Sequence, residues 1–342
     1  MRRGATARDL VLGVLAVAGV TAIVVALAGG APAAVGRELL LGAFGSWSKF
    51  ARVLTVWVPL TLCACGLLFP FRVGLWNIGV EGQVLVGAIG ACGVLRAAPV
   101  GGVPGLWVPL AFGAAAVLAA IWAVLAGVLR TRAGVNEIFA GLGLNFVAQG
   151  AVLWLIFGPW KRAGVASMSG TAPLPRELWL DALSWGRVSL TALVLAVLAV
   201  AASGLLLHYT RVGLTLRAVG RNPTAAALFG LRPGRTMVGG MAAAGALAGV
   251  AGAVQVAAVY HRLIPAISSG YGYLALLVAM LAGYRVSWVP PVALFFAALN
   301  VGSVQLPLVL QLDSSLSGVI QGVLVLVALW VGARRRRRGE GG

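Results

Sequence analysis

The stretch Gly74-Leu75-Trp76-Asn77-Ile78-Gly79-Val80-Glu81-Gly82-Gln83 (GLWNIGVEGQ) lies between two long apolar runs. It places two amides and a carboxylate, those of Asn77, Gln83 and Glu81, among residues that are otherwise mostly apolar. Such side chains are costly in apolar surroundings and need partners within the protein. We therefore predict an irregular, buried segment in which Asn77 caps the start of a helix, with Glu81 and Gln83 in the following turns.

The composition of the chain explains why this stretch stands out. Of 342 residues, 61% are apolar and 10% are charged, and the mean hydropathy is +0.99. These values lie far outside the range of soluble domains and predict an all-α polytopic membrane protein. The net charge of +18 comes from arginines in short loops between apolar runs, so it indicates membrane topology and not nucleic-acid binding.

Apolar runs long enough to cross a bilayer recur along the whole chain. We predict ten transmembrane helices, at about 10–28, 51–69, 76–96, 106–129, 137–157, 188–208, 237–260, 268–284, 288–311 and 314–332. The first run, which follows Arg2 and Arg3, also resembles a secretory signal peptide. It is long for such a peptide, and we expect a retained helix.

Basic residues set the predicted orientation. With both termini in the cytoplasm, most of the 26 Lys and Arg residues lie on the inner side, as the positive-inside rule requires. Five helices in each half would form a 5+5 inverted repeat, a hypothesis that rests on segment count alone. We expect a single transmembrane domain over 1–333, with a coupling loop at 209–236, and a basic cytoplasmic tail at 334–342.

The chain lacks the residues of several catalytic sites. A P-loop needs Gly-Lys-Ser/Thr, and neither lysine, Lys49 or Lys161, has that context. The two histidines, His208 and His261, fall at opposite membrane edges, and no Asp falls in a predicted helix, so intramembrane proteolysis is not indicated. The three cysteines lie in apolar runs without metal-ligand spacing. We expect neither an enzyme nor a cofactor or metal bound by this chain.

The longest predicted cytoplasmic loop, 209–236, contains the signals of a short helix. Asn222 is a suitable N-cap, Pro223 suits the first helical position, and Gly230 suits the end. The helix would end in an exposed Leu228-Phe229 pair. Two interpretations stay open: a plug for a groove on another protein, or a helix lying on the membrane surface.

Four stretches, found in this order, resemble the membrane permease subunits of bacterial ABC importers. More narrowly, they resemble the nucleoside and simple-sugar branch, which works with a basic-membrane-protein type lipoprotein. The stretches are Pro59-Leu60-Thr61-Leu62 through Gly66, GLWNIGVEGQ at 74–83, Gly134-Val135-Asn136-Glu137-Ile138 followed by Asn145, and Arg217 to Ala226. The resemblance runs from about residue 50 to 330. Trp76 stands where the family more often has Phe, and 283–291 is a looser version of the usual connection.

This resemblance implies a division of labour. Separate ATPase subunits would bind ATP and Mg²⁺, a second permease chain would complete the pore, with a heterodimer favoured over a homodimer, and a substrate-binding lipoprotein would deliver the solute. The protein would span the bacterial cytoplasmic membrane. The helix at 222–230 would be the coupling helix, and the positions that match the coupling motif are Arg217, Gly220, Asn222, Pro223, Ala226, Phe229 and Gly230.

The polar residues of GLWNIGVEGQ admit two roles. Glu81 could be a structural strut, paired with Arg72, Arg132 or an adjacent helix end, as intramembrane charges usually are. Alternatively, Asn77, Glu81 and Gln83 could belong to a gate that opens and closes. In the fifth predicted helix, Asn136 and Glu137 are expected to form the N-terminal cap.

Mid-helix amides are the candidates for a substrate path. Asn145 and Gln149 are four residues apart and share a helix face, Asn300 and Ser303 occupy the middle of the ninth predicted helix, and Phe146 and Trp57 could supply an apolar wall. Interhelical hydrogen bonding is the alternative role for each polar residue. A secondary transporter or channel for a small solute is the alternative function. The amides would suit nucleosides, sugars or a flavin-like vitamin.

Overall fold

A computed structural model of the chain describes residues 29–99, 103–162, 170–183 and 188–310, together with isolated positions at 19, 22, 26, 164, 318, 319, 322 and 323. All the regular secondary structure among the described residues is helical, with no strand. The predicted helices at 10–28 and 314–332 and the basic tail at 334–342 lie outside the described residues, apart from a few of the isolated positions.

Twelve α-helices are described. They are α1 (Pro32–Phe44), α2 (Trp47–Arg72), α3 (Val80–Ala97), α4 (Pro104–Ala133), α5 (Glu137–Phe157), α6 (Leu190–Tyr209), α7 (Arg211–Arg221), α8 (Pro223–Leu228), α9 (Pro233–Val254), α10 (Tyr271–Leu281), α11 (Val289–Gly302) and α12 (Gln305–Val309). A π-helical stretch, Gln255–Tyr260, continues α9, and short 3₁₀ turns lie at Arg176–Leu178 and Val286–Trp288.

Seven of the described helical segments are long and apolar enough to cross a membrane. They correspond to seven of the eight predicted helices that fall within the described ranges. The eighth, predicted at 268–284, is the short apolar helix α10, which has 11 residues. The helix predicted from residue 76 begins only at Val80, because residues 73–79 form turns and irregular backbone.

Local signals set several helix ends. The side-chain oxygens of Asn136 and Ser189 accept hydrogen bonds from the first turns of α5 and α6, as expected of N-caps. Pro104 stands in the first turn of α4, and Gly134 ends that helix in the left-handed conformation, at φ 67°. A side chain with a Cβ would be strained there, so glycine suits the turn into α5.

The chain divides into two compact units. The larger is Leu54–Ala293, and the smaller combines Met1–Val53 with Leu294–Gly342. In the smaller unit, α1 packs closely on the end of α11 and on α12, because Gly42 and Gly302 have no side chains to separate the backbones.

In the larger unit, α3, α4 and α9 pack through small residues. Gly245 and Gly249 of α9 lie against the backbone of Ala119 and Ala115 in α4. On another face of α9, Gly252 lies against α3, where an added Cβ would come within 2.6 Å of the Ala88 nitrogen and overlap the Val84 carbonyl. Close backbone approach through small residues is a common way for membrane helices to associate.

We expect Gly252→Val to prevent accumulation of folded protein. The added side chain meets backbone atoms that cannot rotate away, so the cost is roughly 3 kcal/mol or more. The matched control is Gly113→Val, since a Cβ at Gly113 has no atom within 4 Å. Membrane yield and detergent melting temperature measure both variants. Equal membrane yields and melting temperatures of the two variants would contradict the close packing of α3 on α9.

Candidate functional site

The segment between α2 and α3 is held by a reciprocal pair of amides. Asn77 Nδ2 donates to Gln83 Oε1 at 3.0 Å, and Gln83 Nε2 donates to Asn77 Oδ1 at 2.9 Å. Both side chains are fully buried. The expectation that Asn77 caps α3 is wrong: Gly79 occupies the cap position and α3 has no side-chain cap, because Gln83 reaches back and takes both polar groups of the Asn77 amide.

We expect the losses in unfolding free energy caused by the two single substitutions to add up to more than the loss caused by the double substitution. Asn77→Leu or Gln83→Leu leaves a buried amide without its partner, at about 2 kcal/mol each. Asn77→Leu/Gln83→Leu removes both polar groups, so its cost should fall short of the sum by roughly 1–2 kcal/mol. Thermal unfolding of the four proteins in detergent gives this coupling. Strictly additive effects would contradict a direct bond between the two amides.

Asn145 of α5 forms hydrogen bonds with GLWNIGVEGQ and with α10. Its Oδ1 accepts a hydrogen bond from Gly82 N at 2.8 Å, and its Nδ2 donates to Ile78 O at 3.0 Å and to Tyr273 Oη at 3.2 Å. Gly82 allows the approach, since a Cβ there would lie 2.7 Å from Asn145 Oδ1. Both polar groups of the Asn145 amide therefore bond to the protein in this conformation.

Glu81 lies in the first turn of α3 and contacts the start of α10. Its Oε2 accepts a hydrogen bond from Gly272 N at 2.8 Å, and the Ser268 side chain and the backbone of Gly270 and Tyr273 also interact with the carboxylate. A helix N-terminus carries free N–H groups and partial positive charge. Of the partners predicted for Glu81, the one found in the structure is therefore an adjacent helix end, the N-terminus of α10.

Gly272 makes this contact possible. A Cβ on Gly272 would lie 2.6 Å from Glu81 Oε2 and 2.7 Å from Glu81 N, so the two helices meet without any side chain between them. Neither Gly272 nor Tyr273 was predicted as a site residue from the sequence. The available signal was the alternation Gly270-Tyr271-Gly272-Tyr273, which places two small residues among large ones inside an apolar run.

A second carboxylate lies near the same segment. Glu137 Oε2 is 3.2 Å from Arg130 Nε, the only salt bridge among the residues that the structure describes. Its Oε1 accepts a longer hydrogen bond, 3.4 Å, from Trp76 N. The neighbouring Asn136 accepts from Ile138 N at 2.8 Å and so caps α5. Glu137 thus joins the end of α4 to the segment before α3.

The remaining candidates for the substrate path divide between the two units. In the larger unit, Gln149 Nε2 donates to Pro265 O at 3.0 Å, Trp57 Nε1 donates to Pro290 O at 2.9 Å, and the Phe146 ring is 77% exposed. In the smaller unit, Ser303 Oγ donates to Asn300 O at 2.7 Å. Asn300 is partly buried and Ser303 is buried.

The connection at 261–270, between the π-helical stretch and α10, packs against 170–183. Trp179 stacks on His261 with 3.6 Å between ring centroids and an interplanar angle of 5°. Backbone hydrogen bonds join Thr171 N to Leu263 O and Leu180 N to Ala257 O, at 2.9 and 3.0 Å. This packing of 170–183 on the connection was not predicted from the sequence, because an apolar run does not reveal where its helix changes to π geometry.

The predicted short helix after α7 is present as α8. Asn222 is its N-cap, accepting from Ala225 N at 2.9 Å, and Pro223 is its first residue. Gly230 ends the turn at φ 79°. The Leu228 and Phe229 side chains are 85% and 87% exposed, whereas Ala226 is buried. One face of α8 is therefore packed, and its apolar tip is uncovered.

Helix α7 fixes α8 to the rest of the larger unit. A Cβ on Gly220 would overlap the Arg72 carbonyl at the end of α2, so only glycine allows this crossing. Arg217 Nε donates to Gly213 O at 3.2 Å, one turn earlier in α7. Helix α7, which leads directly into α8, thus contacts the end of the helix that precedes GLWNIGVEGQ.

Metal-binding clusters are absent from the described part of the chain, where no group of three or more His, Cys, Asp or Glu side chains could hold an ion. The cysteines Cys63, Cys65 and Cys92 are free and buried.

Comparison with known proteins identifies related chains. Residues 49–329 match the family described as branched-chain amino acid transport system / permease component. The chain is 33% identical over 301 residues to the glucose ABC transporter permease protein TsgB13 of Haloferax volcanii, covering 84% of this chain and 77% of that one. It is 26% identical over 288 residues to the guanosine ABC transporter permease protein NupP of Bacillus subtilis, covering 83% and 82%.

A third relative is the nucleoside ABC transporter permease protein NupB of Lactococcus lactis. It is 27% identical over 277 residues, covering 78% of this chain and 75% of that one. No solved structure matches the chain.

Proposed function

Because this chain belongs to the family of branched-chain amino acid transport system permease components, we propose that it forms the translocation path for a nucleoside or a related small polar solute. It is the permease subunit of an ABC importer and a multi-pass membrane protein. Membership implies ATPase and substrate-binding components in the same system. The family match over 49–329 is the observation that carries the proposal.

The substrate class is inferred from the named relatives. Two of the three are named for guanosine or nucleosides and one for glucose, and all are aligned over most of their length. Nucleosides and sugars share hydroxyl groups that amides and hydroxyls can bind. We place nucleosides first, because two of these three relatives are named for guanosine or nucleosides.

We propose ten transmembrane helices in a single domain, with both termini in the cytoplasm, a 5+5 inverted repeat and a basic tail at 334–342. The distribution of arginines supports this orientation. In it, α7 and α8 face the cytoplasm, and the loop at 170–183 faces outward. We propose the bacterial cytoplasmic membrane as the location.

We assign the coupling role to α8 and its tip. A pair of large apolar side chains that is almost fully exposed on a short, well-capped helix is suited to insert into a groove on a partner. The partner in this system would be the ATPase, which binds the ATP and Mg²⁺. The contact of Gly220 with Arg72 offers a mechanical link from α8 to α2 and so to the segment at 73–79.

For GLWNIGVEGQ we favour a positioning role. Its polar side chains form hydrogen bonds with one another, with Asn145 or with nearby backbone, and these bonds hold the starts of α3 and α10 in place. The side chains are those of Asn77, Glu81 and Gln83. The solute would then meet other side chains along α5 and α10. Within the larger unit, Gln149, Phe146 and the Tyr273 hydroxyl are the candidates, with Trp57 as a further residue of the path.

We propose a second permease chain and a basic-membrane-protein type lipoprotein as partners. Helix α5 carries large side chains on an uncovered face, since Phe139 and Trp154 are 71% and 66% exposed. Lipid or a second permease would cover such a face in a membrane. Related permeases occur in pairs under one system name, such as NupP and NupQ of Bacillus subtilis, and this supports a heterodimer.

Uptake of radiolabelled guanosine by cells that lack this gene, and by the same cells carrying it, tests the proposal. We expect uptake only in the complemented cells, lost on ATP depletion and retained when an ionophore collapses the ion gradients while ATP is maintained. Uptake that follows the ion gradient and not ATP would instead support a secondary transporter. A parallel assay with glucose distinguishes the two solute classes.

A further inference from the structure

An open groove of about 530 Å³ lies where α2, α6, α7 and α9 meet. Its wall is mostly apolar and includes Phe69, Leu206, Val212, Leu216, Gly239 and Ala243. These residues come from the last turn of α2, the last turn of α6, the first half of α7 and the first half of α9. The groove therefore lies at one end of three predicted membrane helices, at the depth where the bilayer interface begins.

Two arginines, Arg211 and Arg235, also line this groove. Both are exposed, and neither guanidinium has a hydrogen-bond or ion-pair partner among the described residues. Arg211 is the first residue of α7, and Arg235 lies in the first turn of α9. An N-terminal turn already carries partial positive charge, so an arginine there gains nothing from its own helix. Both positions favour an anion.

We propose that this groove binds an anionic phospholipid, with Arg211 and Arg235 holding the headgroup phosphate and the apolar wall holding an acyl chain. Arginine clusters at the ends of membrane helices are suited to anionic headgroups. A free phosphate would use the two arginines but would leave the apolar wall uncovered, whereas a lipid uses both. In the proposed orientation the lipid belongs to the cytoplasmic leaflet, beside the coupling helix.

Glycine at position 239 offers a way to close the groove without touching the arginines. A Cβ on Gly239 has no atom within 4 Å, so a larger side chain there fits without a backbone shift and fills the acyl site. Gly239→Leu thus tests the apolar half of the site, and Arg211→Gln/Arg235→Gln tests the charged half. Arg221→Gln/Arg232→Gln is the matched control, since both residues are exposed, lie outside the groove and carry the same total charge.

The experiment is native mass spectrometry of the full-length chain in detergent. The chain is titrated with phosphatidylglycerol, with phosphatidylcholine of the same acyl chains, and with inorganic phosphate as competitor. We expect one phosphatidylglycerol to bind at least about tenfold more tightly than phosphatidylcholine. We expect this preference to disappear in Arg211→Gln/Arg235→Gln and to persist in the control, and Gly239→Leu to weaken binding of both lipids.

Three results would overturn the proposal. They are equal binding of the two lipids by the unaltered chain, an equal loss in the groove and control arginine variants, and displacement of the lipid by millimolar phosphate. The last result would assign the arginines to a free anion. Because lipid binding is measured without ATPase or solute, failure here leaves the proposed transport function unaffected, and failure of transport leaves this result unaffected.

Discussion

Phe229→Asp is expected to abolish ATP-driven solute uptake, by about a hundredfold or more, while the chain remains in the membrane. The Phe229 ring is 87% exposed at the tip of α8, so its replacement removes little packing among the residues that the structure describes. Burying such a ring against a partner contributes about 2–3 kcal/mol, and a carboxylate in the same groove would add an unpaired buried charge. A loss of about 3 kcal/mol corresponds to more than a hundredfold in affinity.

The measurement uses membrane vesicles that contain the complete transporter, with uptake and ATP hydrolysis followed in parallel. Tyr209→Asp is the control, because Tyr209 is also an exposed aromatic residue, 84% exposed, but it is the last residue of α6 and lies outside the coupling helix α8. It should retain uptake near the unaltered level. Phe229→Leu should retain part of the uptake, since it keeps an apolar tip. Unchanged uptake in Phe229→Asp would eliminate the coupling role proposed for α8.

The second large effect is expected at Glu81. Glu81→Leu removes the acceptor of the Gly272 N–H and leaves the start of α10 without its buried partner. Hydrogen bonds to charged groups contribute about 1.5–3 kcal/mol, and several meet at this carboxylate, so we expect a loss near 3 kcal/mol and little folded protein. Glu81→Gln keeps one oxygen that can accept from Gly272 N, so its loss of stability should be roughly half as large.

Glu81→Gln also distinguishes a strut from a gate. If Glu81 is a structural strut, the Glu81→Gln variant should have a lower melting temperature and nearly normal uptake per folded molecule. If Glu81 belongs to a gate, the variant should have a normal melting temperature and should lose uptake. Glu177→Gln is the control, because Glu177 is an exposed residue of the 170–183 loop. A stable, inactive Glu81→Gln protein would contradict the positioning role that we favour.

The elements whose signals are local were predicted from the sequence. Apolar runs indicated eight transmembrane helices within the described ranges. Seven are long enough to cross a membrane, and the eighth is the short helix α10. Asn222, Pro223 and Gly230 indicated α8. Such signals act over a few residues, so one segment contains them entirely.

The contacts that organise the site could not be predicted in the same way. Glu81 and Gly272 are 191 positions apart, and Asn145 and Ile78 are 67 positions apart. An apolar run does not specify which helix it packs against, so the partners of a buried polar residue remain open. For Asn77 the local interpretation was wrong, because Gln83 competes for the same amide and Gly79 takes the cap position.

Purification of this chain from its native membrane in a mild detergent, with identification of the bound proteins by mass spectrometry, tests whether α8 couples the permease to an ATPase. We expect an ATPase, a second permease and a lipoprotein to accompany the unaltered chain, and Phe229→Asp to lose the ATPase selectively. A chain that repeatedly purifies without any ATPase, under conditions that preserve other ABC complexes, would contradict this coupling.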